Sequence, residues 1–302
     1  MTHFSDALAE SIMCRRSVVC VGLDPDLSQF PPALLEGVRP TEEEMAACAG
    51  AYCRAIVHAV ADFVAVAKPQ AAFFEQFGPS GWAALRDVVR CAREHGLPVI
   101  LDAKRGDIAS TGKAYARALF GGATVPGSEV SAPGLEADAV TVSPYLGEDS
   151  VTPFTEYCDR GKGVFVLTRT SNPGAASLQE RDLEGRPLYV AVAELVAELG
   201  ARSMGRHGYS DVGAVAGATA PEAVQRVRRV VPRAFLLVPG YGAQGGSAAD
   251  IAGLAVGPAA GLVVNASRSI MYAWRAAGGD YQVAAAEAAR AMRDDLVGVL
   301  GR

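Results

Sequence analysis

Two carboxylates and a lysine fall within six residues of this chain, Asp102-Ala103-Lys104-Arg105-Gly106-Asp107. In an extended segment Asp102 and Lys104, two apart, project to the same side. A carboxylate beside an ammonium keeps it protonated. A fixed ammonium can stabilise an anion forming next to it and then deliver a proton to it. Lys68 lies at the end of another apolar run, so a second cation is available. Desolvating such a cluster is costly unless its members pair, which leaves a purely structural ion-pair network as the competing reading. A Schiff-base lysine is a third, but it would want an apolar pocket rather than carboxylate neighbours.

A second constellation lies in the last third of the chain. Pro239-Gly240-Tyr241-Gly242-Ala243-Gln244-Gly245-Gly246 and Asn265-Ala266-Ser267-Arg268-Ser269 each follow an apolar run. Glycine amides can approach an anion closely, and Arg268 supplies a cation. In parallel α/β barrels the loops after the seventh and eighth strands frequently hold a phosphate, so the expected ligand is a phosphorylated small molecule.

These residues need a scaffold that brings strand ends together. Short apolar runs recur with helical stretches between them: Val18–Val21, Phe63–Val66, Pro98–Leu101, Ala139–Val142, Val164–Leu167, Val212–Val215, Phe235–Val238 and Gly261–Val264. Continuous rather than alternating apolar runs suit parallel strands buried on both faces. Thr41-Glu42-Glu43-Glu44 reads as a capping box opening a helix that continues to about Val60. Trp82, Leu85, Val88 and Val89 share a helical face before Gly96 and Pro98, and Thr219-Ala220-Pro221-Glu222 reads as an N-cap followed by an early proline. The last helix is expected over about Tyr281 to Leu300.

The pattern predicts an α/β chain folded as a single-domain (β/α)8 TIM barrel over residues 1–302, with loop inserts near 29–40 and 121–137. An open doubly wound sheet is the alternative. In a parallel barrel the strand C-termini carry the site. The polar residues there are Asp24, Lys68, Asp102 with Lys104, Ser143, Ser171 with Asn172, Thr219, Gln244 and Arg268.

Composition excludes several classes. With half its residues hydrophobic and a net charge of -5, the chain has neither a disordered composition nor the basic surplus of a nucleic-acid binder. Arg226-Val227-Arg228-Arg229 reads as a solvated helix face. The six cysteines form no Cys-x-x-Cys pair, and the four histidines, His3, His58, His95 and His207, have no metal-ligand spacing. The N-terminal residues lack the pattern of a secretory signal, and no apolar run approaches a membrane span, so the expected location is the cytoplasm.

The segment Asp102-Ala103-Lys104-Arg105-Gly106-Asp107-Ile108-Ala109-Ser110-Thr111 resembles the D-x-K-x-x-D-I-x-x-T signature of the orotidine 5′-phosphate decarboxylase family. Val21-Gly22-Leu23-Asp24-Pro25, Val66-Ala67-Lys68-Pro69-Gln70, Thr170-Ser171-Asn172-Pro173, the loop from Pro239 and Ser267-Arg268-Ser269 resemble family blocks in the same order. Lys68 to Glu75 and Ser143-Pro144-Tyr145-Leu146-Gly147 are similar to the longer bacterial subgroup that includes mycobacterial-like enzymes.

The resemblance implies a barrel homodimer that converts orotidine 5′-monophosphate to uridine 5′-monophosphate without metal or organic cofactor. It implies that Lys68, Asp102, Lys104 and Asp107 form an alternating charge array, with Asp107 and Thr111 reaching the partner subunit's site. Asp24 would bind ribose, Ser171 the pyrimidine, and Gln244 with Arg268 the phosphate, beside Pro239 and Ser267. Many family members carry Gly-Arg where this chain has Ser267-Arg268. The rivals are a magnesium-dependent sugar-phosphate decarboxylase or aldolase of the same superfamily, which carries an acidic residue in place of Lys68, and a non-catalytic nucleotide-binding barrel.

Overall fold

The computed structural model describes residues 2–128, 130–241 and 251–301. Eight parallel strands form one sheet: β1 (Val19–Leu23), β2 (Val66–Pro69), β3 (Ile100–Arg105), β4 (Ala139–Val142), β5 (Gly163–Arg169), β6 (Ser210–Ala216), β7 (Ala234–Pro239) and β8 (Leu262–Ala266). Their order is β2-β1-β8-β7-β6-β5-β4-β3. The two outer strands meet through single parallel bridges, Ala67 with Val99 and Gln70 with Asp102. These bridges curl the sheet into a (β/α)8 barrel rather than an open doubly wound sheet.

The longer helices are α1 (Phe4–Arg15), α2 (Glu42–Val60), α3 (Gly78–Glu94), α4 (Ala109–Phe120), α5 (Leu188–Gly200), α6 (Pro221–Val230) and α7 (Tyr281–Leu300). Helix α3 buries Leu85, Val88 and Val89 and is followed, just past its His95 C-cap, by Gly96, whose φ of +67° suits a residue without Cβ. Thr41 caps α2 by accepting the Glu44 N–H at 3.3 Å, but the Glu44 carboxylate turns to the Arg39 N–H, so only half of the capping box forms.

Helix α1, which no sequence pattern announced, covers the N-terminal ends of the strands. Phe4 is 2% exposed and meets Phe165 edge to face at 6.1 Å. Burying such a ring contributes about 1.5–3 kcal/mol. Gly163 permits this approach, since a Cβ there would fall 2.1 Å from the Phe4 ring.

Four local expectations need correction. Arg228, expected on a solvated helix face, is 6% exposed, and its guanidinium donates to the Val231, Ala234 and Gly261 carbonyls at 3.0, 2.7 and 2.6 Å. The second strand begins at Val66 rather than Phe63, because the chain is still turning out of α2 until Val64, whose N–H bonds back to Val60. Thr219 does not cap α6: the N-cap is Ala220, and the Thr219 hydroxyl donates to the Ser171 carbonyl at 3.3 Å. Lys104 is not in extended backbone but in the left-handed region.

Candidate active site

The C-terminal end of β3 is bent. Its register with β4 pairs Ile100 with Ala139 and Leu101 with Val140, then resumes with Arg105 opposite Val142. Asp102, Ala103 and Lys104 therefore face Thr141 alone, a bulge that re-aims side chains. Lys104 has a φ of +47°, which for a residue with a Cβ costs roughly 1–2 kcal/mol. Alternation along a strand thus gave the correct convergence of Asp102 and Lys104 for the wrong local reason.

Asp102 is the hub. One carboxylate oxygen, Oδ1, accepts from Lys104 Nζ at 2.6 Å and from the Thr141 hydroxyl at 2.8 Å. The other, Oδ2, accepts from Lys68 Nζ at 2.9 Å and Gln70 Nε2 at 3.0 Å. Asp102 is 7% exposed and Lys68 4%, whereas the Lys104 side chain is 47% exposed. Burial alone would push the Asp102 carboxyl up, but the Lys68 and Lys104 ammoniums outweigh it and hold it well below the usual carboxylate range. Burial likewise works against the Lys68 charge, and Asp102 with Asp24 reverses the balance, so its ammonium is held more firmly than usual.

The cluster forms one side of a cavity of about 470 Å³ at the C-terminal mouth of the barrel. Asp24, from the loop after β1, lines it, and its Oδ1 is buried without a hydrogen-bond partner among the described residues. Its backbone is pinned instead: the Tyr272 hydroxyl donates to the Asp24 carbonyl at 2.7 Å. A buried carboxylate oxygen so held suits a ligand hydroxyl.

Ser171 and Asn172 also line the cavity. Gln179 steadies their loop, accepting the Thr170 N–H and donating to the Thr170 hydroxyl, both at 2.8 Å.

Pro239, Ser267 and Arg268 complete the wall, with Arg268 exposed. The Ser267 side chain turns back against β1: a Cβ on Gly22 would fall 1.9 Å from Ser267 Oγ. Glycine at 22 is thus what accommodates serine at 267.

Of the residues picked out from sequence, Lys68, Asp102, Lys104, Asp24, Ser171, Pro239, Ser267 and Arg268 share this cavity. Asp107 and Thr111 do not line it; Asp107 is half-buried and accepts the Ile108 N–H at 2.8 Å. Gln244 lies outside the described residues. Of the strand-end residues, Ser143 and Thr219 also stand outside the cavity.

Sequence reasoning missed the roles of Gln70 and Thr141. The only signal for Thr141 was a lone hydroxyl inside the apolar run of β4; for Gln70, a polar residue two beyond Lys68. No group of three His, Cys, Asp or Glu side chains among the described residues is placed to hold a metal ion.

Residues 17–286 match the sequence model of the orotidine 5′-phosphate decarboxylase / HUMPS family. The chain is 47% identical over 275 residues to the orotidine 5′-phosphate decarboxylase of Rhodopirellula baltica, covering 90% of this chain and 89% of that one. It is 41% identical over 280 residues to that of Caldicellulosiruptor saccharolyticus, with 91% of each covered. Among solved structures, the Leishmania donovani OMP decarboxylase superposes with a TM-score of 0.77 at 35% identity, covering 100% of both chains. Its charge-lined barrel mouth and its sequence together place the chain in the orotidine 5′-phosphate decarboxylase / HUMPS family.

Proposed function

We propose that the chain decarboxylates orotidine 5′-monophosphate to uridine 5′-monophosphate, the last step of de novo UMP synthesis, with Lys104 as the residue that meets the developing charge. The observation that carries this reading is the Lys68–Asp102–Lys104 array opening onto the cavity.

Loss of carbon dioxide breaks the bond from the ring carbon to the carboxylate and leaves the electron pair in the ring plane, where the π system cannot absorb it. An ammonium beside that carbon stabilises the pair and then transfers its proton to it. Lys104 is exposed enough to regain a proton from water, while Lys68 is enclosed and keeps Asp102 ionised. A cation 4 Å from an anion gains about 4 kcal/mol at an effective dielectric near 20, roughly three decades of rate, whereas difficult reactions need a reduction of some 20 kcal/mol. One lysine is insufficient. Binding energy from phosphate and ribose supplies the rest by fixing the substrate carboxylate near Asp102. Arg268, with Gln244, Pro239 and Ser267, would receive the phosphate, Asp24 the ribose and Ser171 the pyrimidine.

Lys104→Ala is expected to abolish turnover, followed as loss of ultraviolet absorbance on mixing with orotidine 5′-monophosphate, while leaving uridine 5′-monophosphate binding measurable. Near-normal turnover would overturn the assignment.

The same reading makes the protein a cytoplasmic, single-domain homodimer, with Asp107 and Thr111 completing the partner's site. Support comes from their absence from their own cavity and from the adjoining loops, which expose Ile108, Tyr145 and Leu146. Mixed dimers of Lys104→Ala and Asp107→Ala subunits should recover turnover that neither variant has alone. No recovery after verified subunit exchange would refute the shared site.

A further inference from the structure

We infer that Thr141 is a positioning residue for the decarboxylation, an inference that rests on the assignment of Lys104 as the proton donor. Thr141 is 1% exposed and sits in β4 opposite the bulge of β3, at the place where the backbone ladder skips. Its hydroxyl spans the gap. The Lys104 N–H donates to Thr141 Oγ1 at 3.0 Å, and that oxygen lies 2.8 Å from Asp102 Oδ1.

The direction of both bonds is forced. An amide N–H can only donate and an ionised carboxylate can only accept, so the single hydroxyl proton must point at Asp102. One side chain therefore fixes two things at once. It holds the backbone of Lys104 in its left-handed conformation, which sets the point from which the ammonium reaches the cavity. It also occupies one lone pair of the carboxylate oxygen that Lys104 Nζ shares, leaving that oxygen a defined direction for the ammonium. Gln70 bonds the other oxygen, Oδ2, but touches no part of Lys104's backbone among its described hydrogen bonds. Only Thr141, among the described hydrogen bonds, ties the two catalytic groups together through a neighbouring strand.

The test compares Thr141→Val, which keeps the shape and loses the hydroxyl, with Thr141→Ser, which keeps the hydroxyl. Misplacing a reacting group by an ångström costs about 10²-fold, so Thr141→Val is expected to lower kcat by about that factor, with KM and the Kd for uridine 5′-monophosphate changed by less than about threefold. Thr141→Ser should recover most of the loss. If Thr141→Val does not fold, Thr141→Ala is read by the same criteria.

Three outcomes would overturn the inference: kcat within about threefold of the parent, equal impairment of the Val and Ser variants, or a loss of product affinity as large as the loss of kcat. Lys104→Ala measured alongside separates the two levels. If that variant is inactive and Thr141→Val is not impaired, only the role of Thr141 fails. If Lys104→Ala remains active, the proton-donor assignment and this inference fall together.

Discussion

The two ends of the barrel treat buried carboxylates in opposite ways. At the N-terminal end Asp211 accepts the Ser5 N–H at 2.8 Å and meets His3 at 2.6 Å, and Asp6 accepts the Arg206 and His207 N–H groups, both at 3.1 Å. At the C-terminal end Asp102 takes only side-chain donors among the described residues: two ammoniums, an amide and a hydroxyl. A carboxylate committed to backbone N–H groups holds loops in place and has nothing to offer a ligand. One held by side-chain cations, of which the Lys104 ammonium is exposed to the cavity, can share that cation with a substrate. Carboxylate burial alone does not separate structure from catalysis; the nature of the donors does.

The sharpest way to break this contrast is to neutralise the hub. Asp102→Asn keeps the size but removes the charge that aims Lys104 and replaces one of the two accepting oxygens with a donor. Loss of about 4 kcal/mol of pairing corresponds to roughly 10³-fold in kcat, measured under saturating substrate. A fall of less than tenfold would mean that the network is structural, like its counterpart at the floor.

The complementary change is Asp211→Ala, which leaves the Ser5 N–H and His3 without their acceptor. It is expected to cost about 1–3 kcal/mol of stability in denaturant unfolding while kcat stays within about twofold. A catalytic defect of the same size as that of Asp102→Asn would erase the distinction.

The smallest effect is an expected constancy. The folded-state pKa of Asp102 is depressed below its unfolded value near 3.9, so its contribution to stability is present above that pH and is lost as pH falls through the folded value. Lys68 is raised above its unfolded value near 10.4, so its contribution is present below that pH and is lost as pH rises through the folded value. Between about pH 5 and pH 9 neither group changes charge, and their NMR resonances should not titrate. A midpoint inside that window would show that the array is not fully ionised at rest.

Much of the architecture was legible because apolar runs buried on both faces mark parallel strands whatever the helices between them do. Lys68, Asp102 and Lys104 could be read from their places at strand ends, and Arg268 from its place after the last strand. The start of β2 was misread because Phe63 and Val64 are apolar for a different reason: they close the turn out of α2. The left-handed Lys104 had no signature, since only a register shift against β4 demands it. Thr141 and Gln70 were missed because a hydroxyl or amide in a strand declares its function only when its partner on the next strand is known. Asp107 and Thr111 belong to a motif legible in sequence, yet one chain does not bring them to its own cavity.

The bridges that close the sheet carry a mechanical consequence. Among the described residues, β2 and β3 and their immediate flanks are joined by two isolated bridges, Ala67–Val99 and Gln70–Asp102, the thinnest backbone seam in the hoop. Across that seam Lys68 and Gln70 grip Asp102. The charges that would perform the chemistry are also the clasp of the barrel, so drift at any of these positions loosens the wall together with the reaction it houses.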